Sequence, residues 1–313
     1  MTDYDHIPAM LSEAIRYLNL EPGKIIVDGT LGGAGHAKAI CGKIQPDGIL
    51  IGIDQDPDAV ESAKQKLSAY APGIRLFHDN FAHLHHILEV LGLDGVDGIL
   101  LDLGLSLHHL RSSQRGFSFK GREVLDMRMN PRLNTTAKDL VNRMKEEALA
   151  GLFRDLGEER YARKIAKKIV ERREKESIEY SDQLADIVTQ AIPGSARFHQ
   201  KIHPATRVFM ALRIAVNREL EVLENFMKAL PDYLNPGGRF CVLSYHSLED
   251  RMVKHGLREF EKQCTCPPKF PKCICDKKPV MKSISRKAIL PSMEEINQNP
   301  MARSAKMRVA EKI

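Results

Sequence analysis

Asp28-Gly-Thr-Leu-Gly-Gly-Ala-Gly-His36, followed by Gly52-Ile-Asp54-Gln-Asp56-Pro57, is the stretch that decides the fold. Each segment follows a short apolar run, Ile25-Ile26-Val27 and Ile49-Leu50-Ile51, long enough for a buried parallel strand. A glycine-rich turn after a first strand lets the backbone approach a ligand closely, because glycine has no Cβ and tolerates positive φ. An acid closing the next strand, Asp54, is placed to accept hydrogen bonds from ribose hydroxyls. Together the two segments describe a pocket for an adenine nucleoside.

The spacing narrows the ligand. Glycines stand at 29, 32, 33 and 35, and the third glycine of a dinucleotide fingerprint would fall where Lys38 stands. That argues against a nicotinamide-dependent oxidoreductase. No Gly-Lys-Ser/Thr follows, so a phosphate-cradling loop is unsupported. An acid before the glycines suits a ligand without phosphates, and S-adenosylmethionine is one. The bland alternative is an ordinary strand-turn-helix with a solvated Asp54.

Working outward, strands and helices alternate. Pro8 to Leu20 reads as a helix and 24–28 as strand one, with a helix from about Ala34. Strand two ends at Asp54, and Asp56-Pro57 caps and opens the next helix. Residues 74–78 read as strand three, 81–91 as a helix, and Asp97 to Asp102 as strand four. This is the pattern of a doubly wound parallel sheet.

From Gly104 to His203 the periodicity is helical, with segments at Ala137–Asn142, Lys145–Leu156, Arg160–Arg173 and Ser181–Ile192. One long helix is expected from Ala205 to Leu230, and Pro236-Gly-Gly feeds strand five. The sheet domain therefore comprises 1–104 and 204–313, and 105–203 is a helical insertion at the sheet's carboxyl edge.

The chain has 313 residues and a net charge of +6, a mild excess that allows nucleic acid without requiring it. No run of eighteen apolar residues and no signal segment is found, so the expectation is a cytoplasmic protein without a membrane partner. Cys41 and Cys241 read as core side chains. Cys264, Cys266, Cys273 and Cys275 flank a Pro-Pro-Lys-Phe-Pro loop. They are read either as a structural zinc site of four thiolates or as thiols in a proline-stiffened loop, because Cys-x-Cys is tighter than the usual zinc spacing.

Several blocks resemble, in order, the bacterial ribosomal RNA small-subunit methyltransferase H family, also called the MraW family. They are His6-Ile-Pro8, the glycine segment, Asp102-Leu-Gly, Arg115-Gly-Phe-Ser-Phe119 and Leu125-Asp-Met-Arg-Met129. Gly157-Glu-Glu-Arg160, His203-Pro-Ala-Thr-Arg207, Ser244-Tyr-His-Ser-Leu-Glu-Asp250 and Asn299-Pro-Met-Ala-Arg-Ser-Ala-Lys306 continue the series. The resemblance implies a Rossmann-like α/β class I S-adenosylmethionine-dependent methyltransferase fold. It also implies methylation of a cytidine N4 in the decoding region of 16S rRNA, with 16S rRNA or the small ribosomal subunit as partner and the insertion as substrate-recognition element.

Carried over to this chain, the cofactor would be held by Ala34 (in place of a usual glycine), Gly35, His36, Asp54, Phe81, Asp102 and His109. His109 replaces a common glutamine, and Arg111 reverses the charge of a usual aspartate. These departures bear on substrate choice. Asp102 is the catalytic candidate, as acceptor for the substrate amine or as a contact to the cofactor, with Ser106 and the Ser244-Tyr-His246 turn as further hydrogen-bonding groups.

Arg115, Phe117, Phe119 and His246 are the substrate-binding candidates; an extruded base would suit the two rings and the arginine. Against this, the phenylalanines can simply anchor their loop, and His246 can be a structural histidine. Lys164, Lys167, Lys168, Arg172 and Arg173 form either a phosphate-contacting surface or a solvated helix face. A catalytically idle RNA-binding protein, or a paralogue methylating another RNA, stand as alternatives. The oligomeric state is left open, a homodimer included.

Overall fold

The computed structural model describes residues 8–106, 110, 114–198, 202–264, 266, 274–275 and 277–313. Two compact units result, one running up to Gly104 and resuming from Leu220 to Ile313, the other covering Leu105–Glu219.

In the first unit, β1 (Ile25–Asp28), β2 (Ile49–Asp54), β3 (Ile74–His78), β4 (Val96–Asp102), β5 (Leu234–Ser244), β6 (Met281–Ser283) and β7 (Lys306–Lys312) form one sheet. Their spatial order is β3-β2-β1-β4-β5-β7-β6. The first five strands pair in parallel, and β7 runs antiparallel between β5 and β6. This arrangement is the class I methyltransferase sheet, as expected.

The central strands carry runs of apolar residues because both faces are covered. Val27, Ile51, Ile53, Ile99, Leu101, Phe240 and Val242 point to one face. There they meet α4 (Leu84–Leu91), α11 (Glu219–Tyr233) and α12 (Ser247–Glu261). Ile26, Leu50, Leu100, Cys241 and Leu243 alternate to the other face, against α1 (Leu11–Tyr17), α2 (Gly35–Ile44) and α3 (Pro57–Lys66). Cys41 and Cys241 are both buried there, in agreement with their apolar sequence surroundings. The Asp56 carboxylate caps α3 by accepting from the Asp58 N–H, and Pro57 takes the first turn, where its missing N–H costs nothing. The 81–91 segment is a 3₁₀ turn at Phe81–His83 before α4 rather than one helix.

The second unit is helical, with α5 (Ala137–Arg143), α6 (Glu146–Asp155), α7 (Ala162–Arg173), α8 (Ser181–Ala191), α9 (Gly194–Phe198) and α10 (Thr206–Asn217). It has its own core, built around Phe153, Ile165, Ile169, Leu184, Val188 and Leu212. The expected helix from Ala205 to Leu230 is corrected here: α10 stops at Asn217, and Arg218 turns left-handed (φ 52°) before α11 starts. Val208, Phe209, Ala211 and Leu212 bury in the insertion core, so residues 205–219 pack with the insertion rather than with the sheet.

Asn217 explains why the helix ends where it does. Its buried side chain accepts from the Met129 N–H at 2.8 Å and donates to the Met127 and Arg213 carbonyls at 2.8 and 2.9 Å. No helix among the described residues is long and apolar enough to cross a membrane. Asn217→Ala would strand two buried backbone groups of the 127–129 loop, and denaturant unfolding should show a loss of about 3 kcal/mol.

Candidate active site

Parallel pairing in register brings three carboxylates to one edge of the sheet: Asp28 at the end of β1, Asp54 at the end of β2 and Asp102 at the end of β4. Each is held differently. Asp54 is tied to the turns around it, with Oδ2 accepting from the Gly32 N–H at 2.8 Å and Oδ1 from the Asp56 N–H at 2.9 Å. It thereby fixes the glycine turn to the end of β2. Gly29 has to lack a side chain, because a Cβ there would come within 2.5 Å of Leu101 Cδ2 and 3.1 Å of Phe81 Cβ.

Asp102 is the better oriented acid. Its backbone N–H donates to Thr30 Oγ1 at 2.6 Å, and its Oδ1 accepts from the Tyr245 hydroxyl at 2.7 Å. Its Oδ2 stands 3.7 Å from Nδ1 of His36. The Nε2 of His36 lies 3.1 Å from the Ala9 carbonyl. A carbonyl only accepts, so Nε2 is the donor in that contact, and Nδ1 is the nitrogen turned to Asp102. Burial, with the Asp102 charge second, pushes the Tyr245 phenol far above its ordinary range, so it remains a donor. At Gly104 a φ of 127° disfavours any side chain, and a Cβ would also crowd the Tyr245 ring, 3.2 Å from Cδ2.

Asp28 is 1% exposed; its Oδ1 accepts from the Thr30 N–H at 3.2 Å, and its Oδ2 has no hydrogen-bond partner among the described residues. Burial pushes its carboxyl up to about 7, against the lowering effect of the Thr30 N–H, and the charges of Asp102 and Asp54 add to the rise.

The other expected cofactor residues lie nearby in the same unit. Ala34 is the left-handed residue (φ 61°) before α2, a conformation that explains why glycine would be usual there. Gly35 and His36 open α2. Phe81 is 7% exposed, with its ring edge-on to Phe226 at 5.4 Å. His246 caps α12, its Nδ1 receiving the Glu249 N–H at 3.5 Å. Its Nε2 sits 3.0 Å from Glu249 Oε1, an ion-pair distance without hydrogen-bond geometry. His109, Arg111, His6 and Cys273 lie outside the described residues. Ser106 is half-buried at the start of the insertion.

Within the insertion, the Arg115-Gly-Phe-Ser-Phe119 segment divides its labour. Arg115 donates to the Met129 carbonyl at 3.1 Å, and Phe117 is buried in the insertion core, so that ring anchors its loop. Phe119 stacks on His203 with centroids 4.4 Å apart and meets Phe209 edge-on. On α7, Arg173 turns inward and donates to the Val141 carbonyl at 2.7 Å, which takes it off the expected phosphate face. Arg172 pairs with Glu176, while Lys167 and Lys168 flank Glu171. A groove of about 400 Å³ opens instead at the start of α7, lined by Arg154, Arg160, Arg163 and Lys164 with Glu159 and Tyr161.

Asp28 makes stability depend on pH. Its folded value, about 7, stands above the ordinary 3.8, so the folded chain holds this proton more tightly than the unfolded chain. The resulting stability is complete below about pH 4 and is lost as pH rises through about 7. Asp28→Asn stays neutral throughout. In thermal or denaturant unfolding without ligand, it should be about 2 kcal/mol more stable than the parent near pH 8, with the gain vanishing near pH 4.

The sequence profile of the MraW methylase family matches residues 3–313. The chain is 55% identical over 307 residues to the ribosomal RNA small subunit methyltransferase H of Desulforapulum autotrophicum, covering 98% of each. It is 52% identical to the protein of that name from Desulfosudis oleivorans, covering 99% of each. Against that of Geotalea uraniireducens the identity is 47%, with both chains fully covered. Similarity of this extent runs through the sheet and the insertion alike, and the chain belongs to the MraW methylase family.

Proposed function

We propose that this protein methylates small-subunit ribosomal RNA with S-adenosylmethionine as donor, and that the target atom is N4 of a cytidine in the decoding region. What carries the reading is identity that extends through the insertion as well as the sheet, to relatives named as small-subunit rRNA methyltransferases. A sheet alone would speak only for the cofactor.

The residues present fit that cofactor. The carboxyl edge of β1, β2 and β4 offers carboxylates, which suit ribose hydroxyls and a ligand bearing ammonium and sulfonium charge. Asp54 and Asp102 supply the negative charge of that edge, while burial holds the Asp28 carboxyl up to about 7. Ala34, Gly35 and His36 would hold the methionine part, Asp54 the ribose and Phe81 the side near the adenine. When bound, S-adenosylmethionine supplies a methyl group activated by a sulfonium.

Residues of this chain would then prepare the nucleophile. The C4 amine of cytosine is conjugated with its ring, so it attacks poorly and becomes positively charged as it does. A fixed carboxylate acceptor orients the amine and stabilises that charge. Asp102 has the required rigidity, because Thr30 holds its backbone and Tyr245 its Oδ1. No thiol adduct is needed for attack by an exocyclic amine. In the insertion, Phe119 and Arg115 would contact RNA, and Arg160, Arg163 and Lys164 would meet phosphates. The proposed place of action is the cytoplasm.

The direct test supplies methyl-labelled S-adenosylmethionine and small subunits lacking the modification, then identifies the labelled nucleoside by mass spectrometry. N4-methylcytidine is the expected product, and label on any other nucleoside would overturn the assignment. Asp102→Asn should lower kcat by about 100-fold or more while cofactor Kd changes by less than about tenfold. A matching loss in Kd would assign Asp102 to the cofactor alone. Replacing Arg160, Arg163 and Lys164 with alanine should reduce the slope of log affinity for RNA against log salt by about 2.

A further inference from the structure

The proposed methyl transfer leaves the cysteine-rich excursion between α12 and β6 without a task. The excursion is closed at its base, where the Val280 N–H donates to the Phe260 carbonyl at 2.9 Å and returns the chain to the helix it left. Inside it, the sulfurs of Cys264, Cys266 and Cys275 all lie within 4.8 Å of one another.

The Sγ atoms of Cys275 and Cys264 are 3.8 Å apart, far beyond the roughly 2.05 Å of a disulfide. Two thiolates each about 2.3 Å from one zinc ion, at the tetrahedral angle, would stand about 3.8 Å apart. Backbone donors also point at the sulfurs: the Cys266 N–H reaches Cys264 Sγ at 3.3 Å, and the Ile274 N–H reaches Cys266 Sγ at 3.5 Å. Such bonds stabilise the charged form of a ligating sulfur. Three soft donors converging from two Cys-x-Cys units select zinc over harder cations.

We propose that Cys264, Cys266 and Cys275 ligate a structural zinc ion that clips the α12–β6 excursion. Binding replaces the thiol proton of each ligand with a bond to the metal, releases those protons to solvent and changes no oxidation state. The sequence supplies a fourth thiol at Cys273, one residue before Ile274. The three thiolates lie outside the carboxylate edge described above, so the ion's role is mechanical and separate from methyl transfer, and a fourth thiolate would close its coordination.

The test uses the full chain, purified under reducing conditions without chelators or a metal-affinity tag. Elemental analysis should find about one zinc per chain, and the Cys264→Ser/Cys275→Ser double variant should retain less than about a tenth of it. Cadmium added to chelator-stripped parent protein should produce an ultraviolet thiolate-to-metal band, a readout that does not depend on a variant folding. A Cys273→Ser variant that loses zinc extends the site to four thiolates, and one that keeps it leaves the three-thiolate site as stated. Absence of both zinc and the cadmium band would overturn the proposal. So would iron in place of zinc, or a Cys264–Cys275 disulfide in the reduced preparation.

Discussion

Three carboxylates brought to one edge of a sheet are the constraint around which the first unit is built. The parallel register of β1, β2 and β4 leaves no choice about their proximity, since each acid closes its own strand. Like charges held together in partial burial repel, and the unit answers in three ways. Asp54 accepts hydrogen bonds from backbone N–H groups of the turns it organises. Asp102 is pinned by a hydroxyl at each end, Thr30 at its backbone and Tyr245 at its side chain. Asp28 alone is left with an unmatched oxygen and holds its proton to unusually high pH.

Much of this is legible in the order of the amino acids. Uninterrupted apolar runs ending in acids locate β1, β2 and β4, because only a strand covered on both faces can be apolar at every position. The capping Asp56 with Pro57 marks the start of α3, and cysteines in apolar surroundings prove to be core. What escapes a reading of the sequence depends on contacts between distant parts of the chain. The Tyr245–Asp102 bond exists because β5 pairs beside β4, with Asp102 opposite Leu243. The one signal for it in the sequence is that both strands end where Ser244-Tyr-His246 and Asp102-Leu-Gly stand.

The insertion shows the other kind of miss. A left-handed arginine has no compositional signature, so Arg218 splits an apolar periodicity that runs on through Leu230. The reason lies in Asn217, whose amide is spent on a loop some ninety positions earlier in the chain. Helix periodicity likewise places Arg173 among the other cations of α7, but the Val141 carbonyl claims it. Spacing identifies a face; only packing decides which members of that face reach solvent.

The order of strands in space has a consequence for how the chain assembles. β4 finds its partner β5 only after everything from Leu103 to Tyr233 has been accommodated, and closing so long a connection is entropically slow unless it is already compact. An insertion with its own hydrophobic core shortens that connection simply by folding. β6 faces a second delay, because among the described residues it pairs with β7, which follows it in sequence. The β3-β2-β1-β4 half can thus form from contiguous chain, while β5, β7 and β6 must dock later onto an exposed β4 edge. Until they do, that edge offers unpaired backbone groups to any passing strand, which makes the half-built sheet the state most in need of protection from aggregation.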